Sequence, residues 1–221
     1  MWGGRMPGNS GPPERAILFV DGNNWYHALK REGVPDLMGL DYAKISQKLC
    51  MSRQWVSLRY YIGQVPNQGN QQLYADQRRL VSKLENTDPR IGVHFGRLEP
   101  RTTKNDLAED LLGYLHQQGT AIPVGVAKNL SQMAQAHRKT SYMVEKAVDV
   151  MLAVDLVVLA QHNKFDVAYV LSQDGDYTHA VTCVRGMNKK VFVAHPKKGY
   201  EICNVADAYI KIDKAWLAGC R

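Results

Sequence analysis

The stretch AILFVDGNNWYHALK, Ala16–Lys30, brings an aspartate to the end of an apolar run and then changes to a helical pattern. A run such as AILFV is typical of a strand that is buried on both faces of a parallel sheet. Asp21 then falls at the carboxyl end of that strand, and Gly22 opens a tight turn into the next helix. Such turns favour Asp, Gly and Asn on structural grounds alone, so Asp21 is either a helix cap or a functional carboxylate.

Apolar runs of strand length recur along the chain and alternate with helical periodicity. The strand runs are residues 16–20, 56–63, 91–96, 166–172 and 190–194, and the helical patterns cover 41–51, 70–86, 104–118 and 177–187. This alternation predicts an α/β fold with a mostly parallel sheet covered by helices on both faces. Ligands bind outside the carboxyl ends of the strands in such sheets, so residues that follow strands are the first candidates for a site.

The composition is that of one globular domain, with 221 residues of which 45% are hydrophobic. Residues 1–13 are rich in Gly and Pro and predict a disordered tail, residues 14–221 predict one domain, and the weakly patterned stretch 119–142 predicts a loop or inserted segment. The cysteines are far apart with no CxxC pair, which argues against zinc or a disulfide framework. Neither a membrane span nor a signal peptide is visible, so we expect a cytoplasmic protein without a membrane partner.

A second carboxylate pair follows another strand, in SQDGDYTHAV, Ser172–Val181. Asp174 and Asp176 flank a glycine there. Asp176 is well placed to cap the helix that begins near Tyr177. A cap explains only one of the two acids, because carboxylates two residues apart repel each other unless a cation lies between them.

A third stretch, VEKAVDVMLAVDLVVLAQH, Val144–His162, is apolar on every face except at two acids, which predicts a buried helix. Asp149 lies near the start of that helix, with Lys146 three residues earlier on the same face. Asp155 is rotated from Asp149 by about 240° and cannot share its face. We therefore assign Asp149 to the site and expect Asp155 to be a structural or supporting carboxylate.

Acids from three separate segments thus converge on one predicted edge of the sheet. They are Asp21, Asp149 and Asp174, with Asp176 and Asn24 nearby. An all-oxygen cluster suits Mg²⁺ or Mn²⁺. The chemistry that this predicts is metal-assisted hydrolysis of a phosphodiester, which needs no Ser or Cys nucleophile.

Three motifs carry a resemblance to a known family. They are FVDGNNWY at 19–26, EKAVDVMLAVDLVVLA at 145–160, and VAYVLSQDGDYTHAV at 167–181, which is followed by GMNKKVFVA at 186–194. In this order they resemble the NYN domain family over most of residues 15–213, in particular its LabA-like branch, the domain of unknown function 88 group. The family belongs to the PIN-like metal-dependent nucleases. The resemblance implies a Rossmann-like three-layer α/β/α sandwich, an acidic Mg²⁺ or Mn²⁺ centre, and endoribonuclease activity on single-stranded or structured RNA.

The resemblance also implies roles for single residues. Asp21, Asp149 and Asp174 match the metal-binding acids of the family, and Asp176 matches a fourth, catalytic acid. In addition, Asn24 matches a polar residue after the first acid and Lys146 a basic residue before the second.

The sequence departs from the family pattern at two positions. The family usually has Gly at the position of Ala147, and Gly or Ser at the position of Gln173. Neither change removes a metal ligand. Ser172, which precedes the acid pair, is a candidate to hold a ligand or a water in place, or simply to cap the end of the strand.

The positive charge of the chain favours a polyanionic partner, with a formal net charge of +7. Residues 185–200 carry five Lys or Arg and no acid. We expect phosphate contacts from Lys128, Arg138, Lys139, Arg185, Lys189 and Lys190, and base stacking from Trp25 or Tyr177, with Tyr26 and Tyr142 as further candidates. The alternatives are a solvated basic face and aromatic residues of the core.

Other functions stay open at this stage. One is an RNA-binding or regulatory module of the same family without catalysis, and another is a nuclease that acts on single-stranded DNA. A haloacid-dehalogenase-like phosphohydrolase is disfavoured, because it needs a second aspartate where this chain has Asn23. A homodimer is compatible with the sequence, which does not indicate the class of RNA or the number of metal ions.

Overall fold

The structure, a computed structural model, describes residues 11–67, 70–117 and 121–221. Residues 1–10 of the predicted tail lie outside the described residues. So do the side chains of residues 100, 140–143 and 145, which include Tyr142. Within the described part, no helix is long and apolar enough to cross a membrane.

The strands and helices follow the alternation that the sequence predicts. The strands are β1 Arg15–Asp21, β2 Gln54–Gln64, β3 Ile91–Lys104, β4 Lys139–Lys146, β5 Val167–Leu171, β6 Lys190–His195 and β7 Ala208–Lys211. The helices are α1 Gly22–Arg31, α2 Tyr42–Cys50, α3 Gln71–Thr87, α4 Asp106–Gln117, α5 Val124–Ala136, α6 Val148–Gln161, α7 Thr178–Gly186, α8 Tyr200–Val205 and α9 Lys214–Leu217.

The chain forms two compact units. The first comprises the described residues up to Arg97 together with Ala147–Arg221. Its sheet has the parallel strand order β3-β2-β1-β5-β6-β7. The chain moves outward in one direction from β1 and in the other direction from β5, so the switch point of the sheet lies between these two strands, where ligands of such folds bind.

Strand β1 shows how the sheet is covered on both faces. Leu18 and Val20 pack into one apolar cluster with residues of α1 and α2. Ile17 and Phe19 point the other way and pack with residues of α6 and α7. Each of these side chains is at least 97% buried, which matches the interpretation of AILFV as a doubly covered strand. The predicted three-layer α/β/α sandwich is confirmed.

The prediction that α6 is buried on every face is wrong. Leu152 and Leu156 are fully buried, whereas Val150, Val154 and Val158 have exposed fractions of 65%, 53% and 38%. Residues four apart lie on one side of a helix. The three valines thus occupy the side of α6 that faces away from the sheet.

The second unit spans Leu98–Lys146 and contains the end of β3, α4, α5 and β4. The predicted loop at 119–142 is wrong for most of that stretch, because α5 covers residues 124–136 and β4 begins at Lys139. Residues 118–120 lie outside the described residues. Whether this unit is an insertion stays a prediction.

Candidate active site

Asp21 ends β1 at the switch point of the sheet and is only 4% exposed. Its Oδ1 accepts a hydrogen bond from the backbone N–H of Asn24 at 3.1 Å and so caps α1. Its Oδ2 accepts from the hydroxyls of Ser172 and Tyr177, each at 3.1 Å. One oxygen therefore caps the helix and the other is held by the hydroxyls of Ser172 and Tyr177, and the functional role of Asp21 stays a prediction.

Burial makes the charge of Asp21 costly. It raises the pKa of this carboxyl to about 6, and the negative charge of Asp149 adds to the increase. The hydrogen bonds from Asn24, Ser172 and Tyr177 act in the opposite direction. At neutral pH Asp21 carries a negative charge that burial disfavours. A proton or a bound cation would stabilise that charge.

The hydroxyl of Tyr177 lies between two carboxylates. It is 3.1 Å from Oδ2 of Asp21 and 2.8 Å from Oδ1 of Asp149. A hydroxyl has only one proton to donate, so it cannot satisfy both acceptors at once. Burial and the two negative charges raise the pKa of Tyr177, which keeps the phenol protonated. We refer to the two acids joined in this way as the Asp21–Asp149 pair.

Asp149 lies in the first turn of α6, where the helix dipole favours a negative charge. Lys146 is not on this helix, so the prediction that the two share a helix face is wrong. The chain leaves β4 at Lys146 before α6 begins at Val148, and the Lys146 ammonium instead pairs with Glu99 at 2.6 Å in the second unit.

Asp155 has structural partners of its own. Its Oδ2 accepts from Arg59 Nη2 at 2.7 Å and from the Tyr61 hydroxyl at 2.8 Å. These contacts compensate a charge that is about two-thirds buried, with 31% of its side chain exposed. Asp155 thus supports the packing of α6 on β2.

Ser172 connects Asp21 to the loop that carries Asp174. Its hydroxyl donates to Asp21 and accepts from the backbone N–H of Asp174 at 3.1 Å. The Asp174 carboxylate accepts from the backbone N–H of Asp176 at 3.0 Å and caps a short 3-10 turn. Asp176 is exposed and caps no helix, because Tyr177 occupies the N-cap position of α7, so that expectation is wrong.

Asn24 joins the same loop to α1. Its side-chain oxygen accepts from the backbone N–H of Gln173 at 3.3 Å. Gly22 allows the close approach of α1 to β2, since a Cβ there would lie 2.7 Å from the carbonyl oxygen of Tyr61. These contacts fix the turn after β1 against its neighbours on both sides.

The structure contradicts two of the predicted nucleic-acid contacts, and the others stay predictions. Trp25 and Tyr177 are completely buried, so neither ring can stack on a base, and those two predictions are wrong. Tyr26 is 45% exposed. Most of the predicted phosphate contacts are engaged in ion pairs, namely Arg138 with Glu109, Arg185 with Asp207, Lys189 with Asp166 and Lys190 with Glu14. Lys128 and Lys139 are exposed in the second unit.

Two residues beside the candidate site were missed by the sequence analysis. Tyr200 and Glu201 line an open cleft together with Gln173, Asp174, Gly175 and Asp176. The signal was available, because the segment that holds them directly follows strand β6, which neighbours β5 in the sheet. A polar aromatic side chain at the carboxyl edge of a parallel sheet is a candidate for ligand binding.

The oxygen donors of the Asp21–Asp149 pair fit a hard divalent cation. Mg²⁺ is usually held by one or two carboxylates together with waters and substrate phosphates. Among residues 11–67, 70–117 and 121–221, no group of three or more His, Cys, Asp or Glu side chains is arranged to hold a metal ion. The structure therefore offers two carboxylates, with Asp174 linked to them through Ser172 rather than joined to them directly.

A parallel sheet flanked by helices, with two carboxylates at its switch point, is consistent with a PIN-like α/β fold. The NYN domain model matches residues 15–213, and the chain belongs to the NYN domain family. This family lies within the PIN-like nuclease superfamily, and NYN domains are generally nucleases that use divalent metals.

One solved structure that is similar to this chain is a crystal structure of a protein of unknown function from Vibrio parahaemolyticus. The two share 17% identity, and the match covers 92% of this chain and 96% of that chain with a TM-score of 0.49. A comparison with curated proteins gives no match.

Proposed function

We propose that the protein is a metal-dependent endoribonuclease of the LabA-like branch, with Mg²⁺ or Mn²⁺ held by Asp21 and Asp149. The observation that carries this proposal is the convergence of the two carboxylates on the Tyr177 hydroxyl at the switch point of an NYN domain. Asp21 and Asp149 would hold the divalent cation, which would supply an activated water molecule and charge stabilisation for the reacting phosphate. RNA is the proposed substrate and partner.

The residues of the chain supply the geometry for this chemistry. Three hydrogen bonds hold the carboxylate of Asp21 in place. The Tyr177 hydroxyl sets the spacing between Asp21 and Asp149, and the exposed position of Asp149 leaves it open to substrate. Asp174 and Asp176, at the rim of the neighbouring cleft, are assigned to orient water.

A second candidate is an NYN module that binds RNA without cutting it. A preference for single-stranded DNA is a further outcome that the experiment below distinguishes. The cytoplasmic location, the lack of a membrane partner and the homodimer stay predictions.

The test is cleavage of end-labelled single-stranded RNA in Mn²⁺, Mg²⁺ or EDTA, beside a DNA strand of the same length and sequence. We expect internal cuts in RNA that require metal and are lost in Asp21→Asn. The matched control is Asp110→Asn, which changes an exposed acid of α4 and should cut like the wild type. RNA that is bound but never cut would establish the silent module, and faster cutting of DNA would overturn the assignment of RNA.

A further inference from the structure

The aromatic side chain of Tyr200 is not part of either hydrophobic core cluster. It has an exposed fraction of 84%, whereas Tyr60, Tyr61, Tyr169 and Tyr177 are each at least 98% buried. Its ring lines the same open cleft as Asp174 and Asp176. An exposed tyrosine beside a candidate active site presents a ring face to a ligand.

Hydrogen bonds hold the segment that carries Tyr200. We use the name Tyr200 loop for residues 195–201, which run from the end of β6 to the first turn of α8. The ring Nδ1 of buried His195 lies 2.9 Å from the carbonyl oxygen and 3.2 Å from the backbone nitrogen of Lys197. The Tyr209 hydroxyl donates to the His195 carbonyl at 2.8 Å. A Cβ on Gly199 would lie 2.5 Å from the carbonyl oxygen of Gln173, so this loop packs directly on the loop that carries Asp174.

The charges around the ring divide into two groups. Lys197 and Lys198 are exposed, and neither forms an ion pair within the part of the chain that the structure describes. Asp174, Asp176 and Glu201 line the cleft itself. A phosphate would be repelled by these acids but attracted by the two lysines. A neutral base fits the cleft, because carboxylates can also accept hydrogen bonds from its amino groups.

We propose that Tyr200 stacks on an unpaired base of a single-stranded nucleic acid, while Lys197 and Lys198 contact the adjoining phosphates. The inference rests on the proposed nuclease function and assigns the Tyr200 loop a contact with the substrate. Base stacking on an aromatic ring requires an unstacked base, which a duplex does not offer. The Tyr200 loop thereby positions an unpaired nucleotide next to the Asp174 loop.

The test measures the affinity of the full chain for a short fluorescein-labelled single-stranded RNA in EDTA, so that binding is read without cleavage. Loss of one stacking contact weakens binding on the order of 10-fold, and we expect this for Tyr200→Ala. Tyr200→Phe retains the ring and should bind like the wild type. Tyr114→Ala removes a tyrosine of α4 that is 55% exposed and serves as the matched control.

An abasic scan of the same RNA makes the test specific to stacking. At one position, removing the base should weaken wild-type binding on the order of 10-fold yet leave Tyr200→Ala unchanged. Wild-type affinity in Tyr200→Ala, or equal losses at every position, overturns the stacking inference even if the protein cuts RNA. A wild-type protein that neither binds nor cuts RNA overturns the proposed function and the inference together.

Discussion

At the scale of single residues, the Tyr177 hydroxyl accounts for most of what is unusual about the candidate site. It contacts two carboxylates with one proton, in a place where burial raises the pKa of Asp21 to about 6. A carboxyl with a raised pKa is neutral in the folded state at pH values where it is charged in the unfolded chain. Asp21 therefore costs stability above about pH 6, and this cost is absent below its ordinary value of 3.8.

Tyr177→Phe should therefore destabilise the protein in a pH-dependent way. At pH 7.5 the change removes the donor shared by two charged acids, and we expect a loss of about 1–3 kcal/mol in the free energy of unfolding. At pH 5 the carboxyl of Asp21 is protonated, because its pKa is about 6, and is no longer a charged acceptor, so the loss should become smaller. Urea unfolding in EDTA at both pH values measures the difference.

Tyr209→Phe is the control for this prediction, because the Tyr209 hydroxyl donates to a backbone carbonyl and to no carboxylate. Its effect on stability should be the same at both pH values. A loss in Tyr177→Phe that is equally independent of pH would contradict the description of the Asp21–Asp149 pair.

The sequence predicted the positions of the acids in the fold better than the side chains that surround them. Asp21 and Asp174 follow strands that become neighbours, and parallel strands bring such positions to one edge. The role of Tyr177 could not be predicted from the sequence. The hydrophobic pattern places this residue at the start of a helix, but it does not show where the hydroxyl points. Trp25 was assigned to stacking for the same reason, although its ring lies in the core.

At the scale of elements, helix α6 shows what periodicity cannot resolve. Its sequence is apolar all round, so no pattern indicates which side the sheet covers and which side carries the exposed Val150 and Val154. Helix α5 was missed because its sequence begins with Val and Gly and its N-cap, Pro123, makes no side-chain hydrogen bond. The central strands were predicted well, because doubly buried strands have continuous apolar sequences.

The start of α6 allows a test at this scale. Ala147 has a φ of 71°, in the left-handed region that disfavours side chains with a Cβ. Ala147→Gly should therefore raise the free energy of unfolding by about 0.5–1 kcal/mol. Ala153→Gly, inside the same helix, should lower it by about 0.5–1 kcal/mol. Denaturant titration of both variants is the measurement, and an equal loss in both would contradict the assigned backbone conformation.

At the scale of the whole molecule, the count of 28 Lys and Arg overstates the number of cations that are free to meet a polyanion. Ion pairs bind Arg185, Lys189 and Lys190 to acids of the same unit. The exposed Lys197 and Lys198 lie instead in the Tyr200 loop. The count of Lys and Arg predicted a basic segment from 185 to 200. Only the fold distinguishes the cations of this segment that are held in ion pairs from the exposed Lys197 and Lys198.

This division predicts how salt affects RNA binding. Each phosphate contact to a single strand contributes about 0.7 to the slope of log affinity against log salt concentration. Replacing both Lys197 and Lys198 by Ala should lower the slope by up to about 1.4, the sum for two contacts. Lys189→Ala removes an ion pair with Asp166 and should leave the slope unchanged. A larger effect from Lys189 would contradict this assignment of the surface.

The central claim is that Asp149, rather than the neighbouring Asp155, belongs to the reacting site. Single-turnover cleavage of single-stranded RNA in Mn²⁺ by Asp149→Asn and Asp155→Asn, each with its unfolding free energy, tests this claim most directly. We expect Asp149→Asn to keep its stability and to cut at least about 100-fold more slowly, as for loss of a transition-state contact. Asp155→Asn should lose stability through its pair with Arg59 and still cut. The reverse pattern, or undiminished cutting by Asp149→Asn, would contradict the account.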